Sequence, residues 1–153
     1  SIQVDLAQLR PGARTTDYFH AVLNYPQRKV VLHSSMFAAA ETARYIVHGS
    51  RGSFIKFGVD PQEDHLKAGE RPPKADWGFD TRDGTLTQAH GDAMSAHGVP
   101  TIPGNYLAYY AAIRDALNGQ GDNPVPASQA IKVMELIDMG IESAKHRTTL
   151  CLV

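Results

Sequence analysis

Apolar and polar residues alternate along the first half of the chain, as they do in β-strands with one buried face. The alternation is clearest over residues 2–7, where a period of two predicts a half-buried strand. Two β-rich runs follow, from Asp17 to Tyr25 and from Arg28 to Phe37. The Pro26-Gln27 pair between them predicts a tight connection, so these two runs are expected to form a hairpin.

Two further strands are predicted at residues 44–48 and 53–58, joined by Gly49-Ser50-Arg51-Gly52. A glycine-rich loop that holds a dinucleotide would join a strand to a helix, and this one joins two strands. The glycines therefore predict a turn that needs positive φ. Residues 85–87 and 99–101 have weaker strand patterns and predict at most an edge hairpin.

The second half of the chain changes to the helical period. Apolar residues 106, 110, 113 and 117 share one face of a predicted helix, which Asn118-Gly119 would end. A longer helix is predicted from about Pro126 to Lys145. A short helix is predicted from Asp60 to Leu66, with Asp60 as its N-cap and Pro61 as its first residue. Residues 148–152 predict a last strand at a sheet edge.

Strands that precede helices predict an α+β fold, with residues 1–153 as one domain. The expected architecture is an open, mostly antiparallel or mixed β-sheet with helices packed on one face. The strand at residues 17–25 carries apolar side chains in both phases: Phe19 and Leu23 in one, Tyr18 and Val22 in the other. Both sheet faces therefore carry apolar surface, and the face without helices is expected to bind a partner.

Composition narrows the possible partners. The 153 residues carry a net charge of -1, which gives no electrostatic basis for binding nucleic acid or an anionic membrane surface. No stretch approaches the ~18 consecutive apolar residues of a transmembrane helix. The single cysteine, Cys151, lies in an apolar run and is expected to be a buried, inert thiol. One cysteine agrees with a reducing cytoplasm.

The familiar catalytic motifs are absent from the sequence. There is no Gly-x-Gly-x-x-Gly, no Gly-x-Ser-x-Gly and no His-x-x-x-His pair, so cofactor binding, a hydrolase triad and a metal site have no support. His20 and His33 lie in neighbouring predicted strands and are expected to meet, in a structural role. The tyrosines at 106, 109 and 110 are expected in the core, although Tyr106, at a helix start, would also suit the edge of a pocket.

Several segments, taken in order, resemble the C-terminal domain of the Gfo/Idh/MocA oxidoreductases. Each segment is weak alone, but their order and spacing are specific and span nearly the whole chain. The segments are Ile46–Ser53, Lys56–Glu63, Trp77-Gly78, Asn105-Tyr106 with Tyr109–Ile113, Pro124–Ala130 and Ile141–Ala144.

The resemblance implies a fold of the type found in the C-terminal domains of dihydrodipicolinate reductase and glyceraldehyde-3-phosphate dehydrogenase. Proteins of this family carry an N-terminal Rossmann domain that binds NAD or NADP and holds the catalytic lysine of a Glu-Lys-Pro motif. An Asp-x-Gly-x-His segment precedes the sheet. This chain contains none of these motifs, so we expect it to be a C-terminal substrate-binding and dimerisation domain, inactive and without cofactor by itself.

The resemblance implies hydride transfer between NAD(P) and a sugar, polyol or related carbonyl compound, and a homodimer formed through the open sheet face. It assigns no catalytic residue to this chain. Polar residues on loops and strand ends are the candidates for a substrate pocket, Trp77 lying in a predicted long loop over residues 69–80. They are Arg44, Asp60, Gln62, Glu63, Trp77, Asn105 and Tyr106. The alternative is a stand-alone, non-catalytic binding or oligomerisation module built on the same sheet.

Overall fold

A computed structural model describes residues 1–72 and 77–152, which form seven strands and three helices. They divide into two compact units, residues 1–38 with 125–153, and residues 39–124. The α+β class is confirmed, and the assignment of residues 1–153 to one domain stays a prediction. The elements are β1 (Ile2–Ala7), β2 (Tyr18–Tyr25), β3 (Arg28–Ser35), β4 (Tyr45–Gly49), β5 (Gly52–Lys56), α1 (Gln62–Lys67), β6 (Gly84–His90), β7 (Ala93–Val99), α2 (Tyr106–Leu117) and α3 (Ala127–His146).

The strands form two antiparallel sheets, β1-β2-β3 and β4-β5-β6-β7, where the sequence predicted one. Residues 36–44 contain no strand between β3 and β4, so the hydrogen-bonded ladder stops at Ser35. The predicted β2–β3 hairpin is confirmed and places His20 opposite His33. Their ring centroids are 5.5 Å apart.

Helix α3 packs on one face of the three-stranded sheet. The Ser143 hydroxyl accepts a hydrogen bond from Val4 N at 3.0 Å and donates one to the Thr148 carbonyl at 2.6 Å. A Cβ on Gly140 would lie only 3.2 Å from Val4 Cγ2, so glycine allows the close approach of helix to strand. Buried Ile2, Ala21 and Leu23 form the core beneath α3.

The predicted strand at residues 148–152 is wrong. Only Leu150 pairs with the sheet, as an isolated bridge to Ile2. Ser143 ties Thr148 to the end of α3, because its carbonyl accepts Thr148 N and its hydroxyl donates to the Thr148 carbonyl. The chain is thus held against the helix until Leu150. Cys151 is exposed, so the predicted buried thiol is also wrong; in extended backbone it points away from the side that Leu150 occupies.

The β6–β7 hairpin is longer than the edge hairpin that the sequence predicted. Seven residues of each strand pair, from Gly84↔Val99 to His90↔Ala93. The connection is a two-residue turn, Gly91-Asp92, and Gly91 has a φ of 61°, which suits a turn with glycine at its first central position. The sequence did not predict the full length of this pairing, because both strands contain many polar residues and neither shows a clear apolar alternation.

The turn at residues 49–52 contains no positive φ, so that part of the prediction is wrong. Neither Gly49 nor Gly52 has a positive φ. Gly52 is needed for space instead, because a Cβ there would lie 2.5 Å from the Thr87 carbonyl oxygen of β6. The glycine therefore allows β5 and β6 to pair, not the chain to turn.

Helices α2 and α3 confirm the predicted ones within one residue at each end. Asn105 caps α2 by accepting Ala108 N at 3.1 Å, and Gly119 follows it with a φ of 70°. The tyrosines of α2 are not in the core as predicted: Tyr106, Tyr109 and Tyr110 are 43, 45 and 64% exposed. Periodicity shows which residues share a helix face but not whether anything covers it.

The short helix α1 begins at Gln62, one residue after the predicted first residue Pro61, and its N-cap is Pro61, so the predicted N-cap Asp60 is wrong. Asp60 instead accepts Gln62 N at 3.1 Å from the residue before the cap. None of the helices in residues 1–72 and 77–152 combines the length and hydropathy that crossing a bilayer requires.

Candidate functional site

A cleft of about 430 Å³ lies between Trp77 and the start of α2. Two predicted pocket residues, Trp77 and Asn105, lie in its wall. Among the described residues that line it, none has a titratable side chain, so none of these side chains can transfer a proton. The lining residues are Trp77, Pro103, Gly104, Asn105, Leu107, Ala108 and Ala111.

The two walls meet at a close backbone contact between Gly78 and Gly104. Gly104 N donates to the Gly78 carbonyl at 2.9 Å. Gly78 has a φ of 79°, and a Cβ there would lie 2.1 Å from the Gly104 carbonyl oxygen. Both positions therefore require glycine, Gly78 because of its backbone conformation and both because of space.

Gln62 and Asp60 lie beneath this contact. The Gln62 side chain is fully buried; its Nε2 donates to Asp60 Oδ1 at 2.9 Å and its Oε1 accepts Tyr106 N at 2.9 Å. A Cβ on Gly104 would lie 2.3 Å from Gln62 Nε2 and 2.5 Å from Asp60 Oδ2. These two predicted pocket residues thus support the cleft from below, and Gln62 has no surface to offer a substrate.

Trp77 packs against helix α1. Its ring lies 5.3 Å from that of His65, with a 31° angle between the planes, and His65 Nδ1 lies 2.9 Å from Glu70 Oε2. The Trp77 Nε1 atom is buried and has no hydrogen-bond acceptor in the described part of the chain.

The remaining predicted pocket residues lie outside the cleft wall. Tyr106 joins the site through its backbone N–H, which Gln62 accepts. Glu63 is exposed and pairs with Lys67 at 2.8 Å, and this lysine lowers the pKa of the Glu63 carboxyl. The Arg44 guanidinium lies 5.9 Å from the Tyr45 ring centre.

A buried ion pair on the strand side of the same unit was not predicted from the sequence. Lys56 Nζ lies 2.6 Å from Asp80 Oδ2, and both side chains are more than nine-tenths buried. Arg82 Nε donates to the other Asp80 oxygen at 3.0 Å, and Arg82 also pairs with Glu41 at 2.8 Å. Lys56 above all, and then Arg82, hold the pKa of Asp80 far below its usual range.

This ion pair fixes the segment that carries Trp77. Asp80 follows Trp77 by three residues and is anchored to the end of β5 by Lys56. Gly58 leaves room for the Arg82 guanidinium, since a Cβ there would lie 1.9 Å from it. A charge inside the apolar run Phe54-Ile55-Lys56-Phe57 was the available sequence signal, because an unpaired lysine is rarely buried.

The described residues contain no group of three or more histidine, cysteine, aspartate or glutamate side chains that could hold a metal ion. They also offer no pairing of a nucleophile with a general base at the cleft. The lining of the cleft consists of an aromatic side chain, an amide side chain and small or apolar residues.

A family model described as "Oxidoreductase family, C-terminal alpha/beta domain" (Gfo/Idh/MocA) matches residues 2–152. The chain is 70% identical over 152 residues to the uncharacterized oxidoreductase YdgJ of Escherichia coli and 34% identical over 154 residues to scyllo-inositol 2-dehydrogenase (NADP(+)) IolW of Bacillus subtilis. Each alignment covers 99% of this chain but 44% and 43% of those proteins. The chain thus spans less than half the length of these relatives.

Solved structures give the same picture. The YPO2259 protein of Yersinia pestis matches with a TM-score of 0.96 and 61% identity, over 99% of this chain and 44% of that one. An oxidoreductase from Bacillus cereus matches with a TM-score of 0.80 and 28% identity, over 92% and 43%. The chain therefore belongs to the Gfo/Idh/MocA oxidoreductase family and corresponds to its C-terminal α/β domain.

Proposed function

We propose that this chain is the substrate-side domain of an NAD(P)-dependent oxidoreductase that acts on a sugar, a polyol or a related carbonyl compound. The observation that carries the proposal is the cleft between Trp77 and α2. Its volume of about 430 Å³ lies within the usual range for small-molecule sites. The relative named as a scyllo-inositol dehydrogenase that uses NADP(+) supports a cyclic polyol and this cofactor.

The lining suits a polyhydroxylated ring. The indole face of Trp77 offers an apolar platform for the C–H face of such a ring, and the Asn105 amide offers polar groups to its hydroxyls. In the proposed reaction a secondary alcohol loses a hydride to NADP⁺ and a proton to a base, giving a ketone, NADPH and H⁺. Because the cleft has no titratable lining group, base and cofactor site would come from a dinucleotide-binding domain joined to this chain.

The first prediction concerns Trp77 in that longer protein. Trp77→Ala is expected to raise KM for a cyclic polyol by about twofold to tenfold, because a lost aromatic contact is worth roughly 0.5–1.5 kcal/mol. Trp77→Phe keeps an aromatic face and serves as the matched control. Steady-state NADPH formation with scyllo-inositol and related polyols gives the constants.

Two results would argue against the proposal. One is a longer protein that turns over no sugar or polyol with either cofactor. The other is micromolar binding of NADPH by the 153-residue chain alone, measured by fluorescence titration. The alternative is the stand-alone, non-catalytic binding or oligomerisation module, which the lack of titratable side chains in the described lining of the cleft also suits.

The second prediction is that the chain forms a homodimer through the open face of the three-stranded sheet, opposite α3. Because side chains alternate along a strand, this face carries Tyr18, Val22 and Val31 beside the His20–His33 pair. Val31 is 55% exposed, and exposed apolar sheet surface favours association. In sedimentation velocity, Val31→Glu is expected to shift dimers to monomers, whereas Val59→Glu, on a loop, is expected to leave them intact.

A further inference from the structure

We propose that Gln62 is a positioning residue that sets the distance between the two walls of the cleft. For its effect on catalysis, this inference rests on the proposed function. Gln62 is fully buried, so it acts through the residues that it holds rather than on a substrate.

Gln62 holds the α2 wall from below through both ends of its amide. Its Oε1 accepts Tyr106 N, the first residue of α2, and its Nε2 donates to Asp60 Oδ1, both at 2.9 Å. Asp60 also accepts Gln62 N at 3.1 Å. The start of α2 is therefore fixed to the turn that precedes α1.

The same short helix holds the Trp77 wall. His65, three residues after Gln62 on α1, lies against the Trp77 ring at 5.3 Å. The walls also meet directly where Gly104 N donates to the Gly78 carbonyl. Helix α1 thus contacts both walls of the cleft: His65 packs against Trp77, and Gln62 bonds to the first residue of α2. Gln62 is therefore the side chain that holds the α2 wall to α1.

The two ends of the Gln62 amide have different roles, since Oε1 accepts a hydrogen bond and Nε2 donates one. Substitutions that change one role at a time therefore give a specific test. Gln62→Met keeps the length of the side chain but loses both hydrogen bonds. Gln62→Glu keeps an acceptor for Tyr106 N but places a carboxylate where Nε2 lies 2.9 Å from the Asp60 carboxylate, and like charges repel. The double change Gln62→Glu with Asp60→Asn removes the charge repulsion and lets the amide at position 60 donate to the carboxylate at position 62. It does not restore every bond, because Asp60 Oδ1 also accepts Gln62 N, and an amide group that donates there cannot accept.

Trp77 is the only tryptophan of the chain, so its fluorescence reports on the cleft without any ligand. Acrylamide quenching of the 153-residue chain measures how often Trp77 becomes accessible because the two walls have separated. Gln62→Met is expected to raise the fraction of molecules with separated walls about fivefold for each hydrogen bond lost. Gln62→Glu should raise it further, and the double variant should lower it clearly below the Gln62→Glu value, because the charge repulsion is removed while the bond to the backbone N–H of residue 62 is lost. Gln129→Met, the same change at an exposed position of α3, is the control.

Quenching of Gln62→Met at the wild-type value, or a double variant that quenches like Gln62→Glu, would overturn the inference. If Gln62→Met does not fold by circular dichroism, the comparison of Gln62→Glu with the double variant decides alone.

A kinetic measurement separates this inference from the proposed function. In the longer oxidoreductase, Gln62→Met is expected to raise the polyol KM about tenfold, because small displacements of binding groups have large effects, while kcat changes by less than about threefold. A Gln62 that only supports folding would lower the active fraction at constant KM. A wild-type enzyme without polyol activity would end the proposed function, whereas the quenching result would still decide on Gln62.

Discussion

Replacing Asp80 with alanine is expected to lower the free energy of unfolding by about 3–5 kcal/mol. The reason is that breaking a buried ion pair leaves an uncompensated charge in the interior, here Lys56, whose side chain is only 9% exposed. Arg82 would lose the same partner at 3.0 Å. Urea unfolding followed by Trp77 fluorescence measures the change, with Asp122→Ala at an exposed position as the control.

The pH dependence gives a second reading of the same pair. The folded state lowers the pKa of Asp80 because the charged form is stabilised by Lys56 and Arg82. The stabilisation is therefore complete above the ordinary aspartate pKa of about 4 and decreases as the pH falls below it. Stability of the wild type should fall more steeply than that of Asp80→Ala in this acidic range. Equal slopes would contradict the assignment.

Gly78→Ala is expected to have the other large effect, and Gly69→Ala provides a matched comparison. The two glycines have almost the same backbone angle, φ 79° and 80°, so alanine meets the same conformational cost of about 1–2 kcal/mol at both. A Cβ at position 69 has nothing within 4 Å, whereas at position 78 it would lie 2.1 Å from the Gly104 carbonyl oxygen.

The difference between the two variants therefore isolates the contact between the walls. We expect Gly78→Ala to lose about 1–3 kcal/mol more than Gly69→Ala, the usual cost of overpacking, and to increase acrylamide quenching of Trp77. Equal losses of stability in urea unfolding would show that the backbone at Gly104 moves away at little cost in free energy. The Gly78–Gly104 contact would then not set the distance between the two walls.

Local periodicity predicted most of the elements because their patterns are short-range. The β2–β3 hairpin and the α2 and α3 helices follow from turn residues and from the spacing of apolar side chains. The full length of the β6–β7 hairpin did not, because its strands are polar and its pairing depends on a two-residue turn at Gly91. The exposed tyrosines of α2 show the same limit, since a pattern cannot show what lies opposite it.

The sequence suggested which residues lie near the cleft but not how they are arranged around it. Trp77 and Asn105 line the cleft, while Gln62, also predicted as a pocket residue, is buried beneath it; that any of them contacts a substrate stays a prediction. That distinction depends on which side of a backbone contact a side chain occupies, which spacing along the chain does not encode. The partnership of Lys56 and Asp80 likewise depends on a loop that returns to the end of β5.

The helix wall of the cleft contains Leu107, Ala108 and Ala111. The hydrogen bonds that Gln62 makes beneath this wall involve none of these three side chains. Changes in size at these three positions would therefore reshape the cleft while the glycines, Gln62 and Asp80 keep its frame. Under the proposed function, such a domain could change the compounds that it binds while its fold stays the same. Replacing Ala108 or Ala111 with a larger residue is therefore the most direct way to change which compounds the cleft would bind under the proposed function.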